Sequence, residues 1–534
     1  MLEVILFQTA ALSLLMVLAA TPFAFSDLLE VFGGRIRQKK VVYAVLFLLV
    51  VSCWTNLSVP LRHQVSYDEW EDMAAAETMI VRHIYGTCQM GDVHVCPAFN
   101  LPYHPPGQAM LLSPSYMLWG EFPNAVFIIP KLTAILTPLA VAFLAYLLLG
   151  SLVGAVFSGV FIAVLPLYLT YGSSTNSEVP ALFFITSSFA LALAWKRKPS
   201  YALLFASVSY MTYAVFLRVE NGLAFIPLIA ILAPKRSELK NVLPGIIPPL
   251  LIVPLAFQAL LHSDVNSNIG FTVERYITNF TGFIGYLTGT NNHSPLLLLL
   301  SAAGFITLAQ KGKKRELLIL LLMLTLPFLL YPAWWIDYNT RYSIRRLIVL
   351  YPSLAITAGY ALNKILPTQY EKQKRAAAGC ILLITASALT GGLNLQNPLA
   401  VSTDYLTLSP PVNKHPNDQF SEIIHNLTVN GTINRECYVL APGISPYILS
   451  GLKMRVIDQT MATPENLNLI LDKICLYYYQ PDTSLPKYTV FQEKYRNTFN
   501  NTLIVEASWG PQYKIRFYRI YGILTQFNET YPLT

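Results

Sequence analysis

Charge is scarce in this 534-residue chain. Asp, Glu, Lys and Arg make up 12% of it, against roughly 25% in a soluble globular protein. That shortage argues against a water-soluble enzyme, a disordered tail or a nucleic-acid binder. Cysteine is scarce too: six residues cannot build a disulfide scaffold. Cys53 and Cys380 lie in apolar runs and read as thiols. Cys88 with Cys96, and Cys437 with Cys475, share extramembrane segments and suit two disulfides in an oxidising compartment. There is no Walker loop, no G-x-G-x-x-G, no G-x-S-x-G and no nucleophilic Cys/His signature, so these nucleotide and hydrolase chemistries have no support. No repeat of solenoid length is present.

What the chain has is apolar sequence: 54% of it is hydrophobic. A helical span needs about 20 mostly apolar residues. Candidates lie near 3–24, 41–58, 124–149, 152–171, 180–195, 200–217, 221–233, 242–261, 294–310, 317–332, 345–364 and 376–393. The first run lacks a basic start and a small-residue cleavage site, so it reads as a span and not a signal peptide. Basic blocks at 35–40, 196–198, 234–240, 311–316 and 371–375 fall on one side of this arrangement, which the positive-inside rule makes cytoplasmic. The N-terminus, the 59–123 loop and the tail from about 394 then face outward. The N-x-S/T sequons at Asn56, Asn279, Asn292, Asn426, Asn430, Asn500 and Asn528 fall on that outer side or its edge.

The expected fold is an α-helical polytopic membrane protein with about twelve transmembrane helices and a small C-terminal extracytoplasmic α/β domain. The membrane domain covers 1–393, including the 59–123 loop with interfacial helices near 69–85 and 107–119. The tail domain covers 394–534, with strands at 437–441, 454–458, 474–479, 502–507 and 513–521 and helices at 421–427 and 465–473.

Five constellations could carry chemistry. Ser66-Tyr-Asp68-Glu69-Trp places adjacent acids where an interfacial helix begins. A capping box explains Glu69, whereas Asp68 suits a general base. Tyr-His104-Pro-Pro-Gly107 holds a histidine on a stiffened backbone, as a turn or as a donor to phosphate. Ser-Glu178-Val-Pro and Arg218-Val-Glu220-Asn-Gly stand at span entrances, where ionisable groups are more often functional than on a soluble surface. The two glutamates would serve the acceptor or a cation. The fifth, 331–346, carries Arg341, Arg345 and Arg346 on the side that is otherwise poor in basic residues. Clustered arginines bind phosphate bidentately, and Arg341 with Arg345 or Arg346 suits a phosphate clamp. His83, His94 and His104 share a loop without recognised metal-ligand spacing. No cofactor is required, and a divalent cation is left open.

The order of these motifs resembles the GT-C glycosyltransferase superfamily, in its protein O-mannosyltransferase and lipid A aminoarabinose transferase branch. The shared series is a span, an outer loop opening with an acidic pair, an H/K-P-P element, S-E-x-P, R-x-E, a late R-Y and an outward tail domain. The resemblance covers roughly 41–365. It implies transfer of a sugar from a dolichyl- or undecaprenyl-phosphate donor to a hydroxyl on protein, lipid or glycan, at the outer membrane face. It implies Asp68 as the catalytic residue of the acidic pair and His104 facing the donor phosphate. Two departures stand out: the aminoarabinose branch has lysine where this chain has His104, and an extra span precedes the usual first one. The competing readings are a flippase or transporter, or a polymerase or ligase, of lipid-linked glycans. A transporter would concentrate charge near the bilayer midplane.

Overall fold

The computed structural model describes residues 1–32, 39–59, 61, 66–88, 90–91, 99–102, 104–119, 125–233, 243–261, 272–288, 295–334, 341–365, 416–434, 436–441, 455–458, 471, 475–482, 499–509 and 513–523. The chain divides into two compact units. One joins 1–64, 103–111 and 126–409; the other joins 65–102, 112–125 and 410–534. Part of the 59–123 loop therefore belongs with the tail. The expected boundary at 393/394 lies outside the described residues, as do the 376–393 span and the 465–470 part of the second tail helix.

The helices run in chain order as α1 (Leu2–Phe32), α2 (Lys39–Ser58), α3 (Ser66–Arg82), α4 (Gly107–Trp119), α5 (Ile128–Leu149), α6 (Leu152–Ala163), α7 (Pro166–Gly172), α8 (Glu178–Arg197), α9 (Tyr201–Leu217), α10 (Phe225–Leu232), α11 (Val253–Leu261), α12 (Val273–Thr288), α13 (Pro295–Gln310), α14 (Lys314–Trp334), α15 (Tyr351–Ile365) and α16 (Pro416–Val429). The strands are β1 (Thr87–Cys88), β2 (Met90–Gly91), β3 (Phe99–Asn100), β4 (Tyr438–Ala441), β5 (Arg455–Asp458), β6 (Leu476–Asp482), β7 (Phe499–Trp509) and β8 (Tyr513–Ile523).

Among the described residues, five helices are long and apolar enough to cross a membrane, or six if one bent pair counts as a span. Four more of the expected spans appear as shorter apolar helices, Tyr201–Leu217, Val219–Leu232, Ile247–Gln258 and Leu296–Gln310. The bent pair is α6 and α7, which meet at 63°. Pro166 opens α7; its ring cannot continue the preceding helix. The 345–364 span also differs from expectation, since its first turns form a 3₁₀ segment, Arg341–Leu350. Two of the sequon asparagines are engaged inside the protein. Asn56 and Asn279 are buried, and their amides donate to the carbonyls of Ser52 and Pro332.

Small residues let the spans pack closely. A Cβ on Gly304 would lie 2.0 Å from the Thr357 carbonyl oxygen, so α13 and α15 touch backbone to backbone. Some polar side chains inside the bundle bond to neighbouring helices, which lipid cannot replace as a partner. Ser52 donates to the Ile135 carbonyl, and Ser301 pairs with Thr357.

In the second unit, six strands form a sheet in the order β2-β5-β4-β6-β8-β7. β4 pairs parallel with β5 and β6, and the other pairings are antiparallel. Strand side chains alternate between faces. Val439, Tyr477 and Tyr479 pack with Ile424 of α16 on one side, while Leu440, Leu476 and Tyr478 fill the other. The outer edge of this sheet, β2, comes from the 59–123 loop, through Met90 opposite Ile457. A disulfide joins Cys437 to Cys475. Cys88 is also disulfide-bonded, while Cys96 lies outside the described residues.

Candidate functional site

The site in the membrane unit is assembled where several helices start or stop. Ahead of α8, the run Ser173-Ser-Thr-Asn-Ser177 is buried although wholly polar. Short hydroxyl side chains make this tolerable by bonding local backbone: Ser173 donates to the Thr170 carbonyl and Ser174 to that of Tyr171. These bonds close the end of α7 and turn the chain so that Glu178 opens α8. Opposite, α9 ends when Arg218 becomes extended and the 3₁₀ turn Val219–Ala224 follows. The Asn221 amide donates to the Ala214 carbonyl at 2.8 Å, satisfying one of the acceptors that a helix end leaves open.

These two corners meet the 3₁₀ segment Arg341–Leu350. Arg218 Nη1 donates to Glu178 Oε1, and its Nε donates to Glu220 Oε1 at 2.7 Å. Arg345 Nε lies 3.0 Å from the same Glu178 oxygen, and its Nη1 donates to Asn176 Oδ1 at 3.2 Å. Arg346 is buried beside Arg345 and faces Glu220. Glu220 shares this cleft with Arg218, Arg345 and Arg346. Glu178 and Glu220, the expected acceptor- or cation-side residues, both accept from Arg218.

The arginines line a small cleft of about 20 Å³ with Glu178, Glu220 and Tyr331. A second cavity, also of about 20 Å³, adjoins it, sharing Leu182, Ile185, Glu220, Asn221, Tyr331 and Val349. Beyond those residues its walls are mainly apolar, with Phe189, Leu322, Met323, Leu326 and Pro327 among them. A cationic cleft thus lies beside a mainly apolar one.

The His104 turn is fastened to the same corners. The Gln258 amide donates to the His104 carbonyl at 2.8 Å, and Tyr213 donates to the Gly107 carbonyl at 2.9 Å. A Cβ on Gly107 would lie 2.4 Å from the Phe216 carbonyl carbon; only glycine permits that approach, next to Arg218. Gln108 donates to the Thr175 carbonyl in the buried polar run. Five sequence candidates therefore share one neighbourhood: the His104 turn, Glu178, Arg218, Glu220 and Arg345. Arg346 joins them. The Arg341 backbone opens the 3₁₀ segment, but its side chain lies outside the described residues.

Asp68 and Glu69 belong to the second unit, in the first turn of α3. Asp68 is half-buried and Glu69 fully buried. A helix N-terminus favours both carboxylates. No group of three metal-ligating side chains occurs among the described residues.

Sequence reasoning missed Asn176, Gln108, Tyr213 and Tyr331. Asn176 and Gln108 each sit within two residues of a recognised motif, and that proximity was the available signal. Tyr331 opens the 331–346 constellation, whereas Tyr213 lies inside an apolar run and gave none.

The structure is similar to that of ArnT from Cupriavidus metallidurans, in the apo state and bound to undecaprenyl phosphate. The TM-score is 0.55 in both cases, at 13% and 14% identity, covering 89% of this chain and 97% of the other. The chain has a GT-C fold. The archaeal oligosaccharyltransferase AglB from Archaeoglobus fulgidus, in complex with an inhibitory peptide and a dolichol-phosphate, gives a TM-score of 0.49 at 10% identity, over 93% of this chain and 75% of that one. No family model and no curated protein matches the sequence. With this fold and its candidate spans, the chain is an integral, polytopic membrane protein.

Proposed function

We propose that this GT-C protein is a glycosyltransferase that moves a sugar from a polyprenyl-phosphate donor to a hydroxyl acceptor. One observation carries the reading: a cluster of buried arginines lines a small cleft that adjoins a mainly apolar cavity and shares its walls. A polyprenyl phosphate has this dual character, an anionic head on a hydrocarbon tail. Guanidinium forks match phosphate geometry, and lipid tails gain about 0.8 kcal/mol per buried CH₂. ArnT, whose fold is similar, is described bound to undecaprenyl phosphate.

In the reaction, the acceptor oxygen attacks the anomeric carbon as the bond to the phosphate oxygen breaks. The departing phosphate gains negative charge, which Arg218, Arg345 and Arg346 stabilise. One preorganised donor of this kind is worth about 3–4 kcal/mol. The His104 turn supplies a further phosphate contact. Glu178 and Glu220 hold the forks in place before the donor arrives, so little reorganisation is left for the reaction step. Asp68 takes the acceptor proton, and in-line attack inverts the anomeric centre. This role for Asp68 rests on the family resemblance and on its place in the first turn of α3.

The two disulfide-bonded positions, Cys88 and Cys437–Cys475, support an oxidising compartment for the second unit, and hence an extracytoplasmic reaction. The deciding experiment incubates the purified protein in vesicles with polyprenyl-phosphate sugars and measures release of polyprenyl phosphate. Release that depends on an acceptor and falls in Arg218→Gln and Arg345→Gln supports the proposal. Lipid movement across the vesicle without cleavage would replace it with a flippase.

A further inference from the structure

The 262–293 segment reads from sequence as a polar and aromatic loop, yet residues 273–288 form α12, a helix of 16 residues. Three kinds of surface divide it lengthwise. One side is protein-facing. Asn279 and Phe283 are buried, the Asn279 amide donates to the Pro332 carbonyl at 3.0 Å, and the Tyr276 hydroxyl donates to the Leu329 carbonyl at 3.0 Å. Phe280 meets Phe328 edge to face at 5.2 Å. All of these partners lie in the last two turns of α14, a candidate membrane span.

A second side is polar and exposed, with Glu274, Thr278 and Thr281. Between these lies a stripe that is apolar and exposed: Val273, Ile277 and Ile284, at 66%, 54% and 40%. At 3.6 residues per turn they fall within about 40° of one another. The stripe adjoins the protein-facing side, and the polar side lies beyond it. A helix beside the end of a span, with a protein face, an apolar exposed face and a polar exposed face in that order around its axis, has the arrangement required by the membrane–water boundary. The neighbouring span continues the apolar surface, since Leu329 and Leu330 are exposed as well.

We propose that α12 is an interfacial helix whose Val273–Ile277–Ile284 stripe docks on the acyl-chain boundary of the bilayer, at the end of α14. The occupant is lipid, because the stripe is continuous with the exposed apolar flank of a span and runs parallel to a polar face. α12 also packs on the Arg341–Leu350 segment, so its seat on the bilayer helps to set the depth of the buried arginines. The inference is independent of the transfer reaction.

Spin labels test it directly. Single cysteines replace Ile277, Ile284, Thr278 and Thr281 in turn, with Cys53 and Cys380 changed to serine. The full chain is reconstituted in vesicles of zwitterionic and anionic phospholipid. Collision with oxygen, which partitions into lipid, is compared with collision with a water-soluble nickel chelate. Labels at 277 and 284 should be oxygen-dominated, and labels at 278 and 281 nickel-dominated. Nickel-dominated collisions at all four positions would overturn the proposal by placing the stripe in water. Shielding of 277 and 284 from both reagents would overturn it too, in favour of a protein partner or a second copy.

Discussion

Replacing Glu178 by glutamine tests the arginine network at its most shared atom. Oε1 accepts from Arg218 and lies 3.0 Å from Arg345 Nε. The Glu178 and Arg345 side chains are 5% and 6% exposed, so solvent screens their attraction little. Removing one partner of a buried ion pair costs about 3–5 kcal/mol. Glutamine retains an acceptor oxygen, which puts the expected loss near the lower end, about 3 kcal/mol. That amounts to roughly a hundredfold change in the folding equilibrium, a large part of a typical total of about 5–15 kcal/mol. The assay is thermal unfolding in detergent, followed by tryptophan fluorescence. Glu178→Gln should unfold at lower temperature than the wild type. Adding polyprenyl phosphate should raise the variant's midpoint by more than it raises the wild type's, because the lipid phosphate supplies the negative charge that was removed. An unchanged midpoint would show that Glu178 does not hold the forks. An equal or smaller response to the lipid would show that phosphate does not bind among these arginines.

Other outcomes can be checked independently. Asp68→Asn should leave polyprenyl-phosphate binding intact and abolish sugar transfer; near wild-type turnover removes Asp68 from the mechanism. Gly107→Ala brings a methyl group against the Phe216 backbone at 2.4 Å and should cost about 1–3 kcal/mol by overpacking, seen as a lower midpoint with reduced donor binding. Reducing Cys437–Cys475, whose cysteines are 38 residues apart, should cost the second unit about 4 kcal/mol on the loop-entropy account. Circular dichroism of the strands before and after reduction measures it.

Much of this protein was legible in its residues, because hydropathy and alternation are local. Runs such as 128–149 and 178–197 cannot be satisfied in water and form helices. The alternation in 474–479 and 513–521 returned as β6 and β8. The polar motifs at 104–107, 177–180 and 218–222 stood out because charge and proline are expensive beside apolar spans. Other features were not legible. Nothing in Leu152–Gly172 gives the 63° bend beyond the presence of Pro166. Residues 273–288 looked like loop because their apolar positions serve two different surfaces.

Sequence alone determined that the chain lives in a membrane, that its tail folds as strands and helices, and which few ionisable residues lie at span ends. Those properties follow from transfer free energies and backbone geometry, which act residue by residue. Only the tertiary structure decided that Glu178 serves Arg218 and Arg345 at once, that Arg346 joins them, and that their cleft adjoins a mainly apolar cavity. Residues 40 to 170 positions apart meet there, and such meetings are set by how whole helices pack.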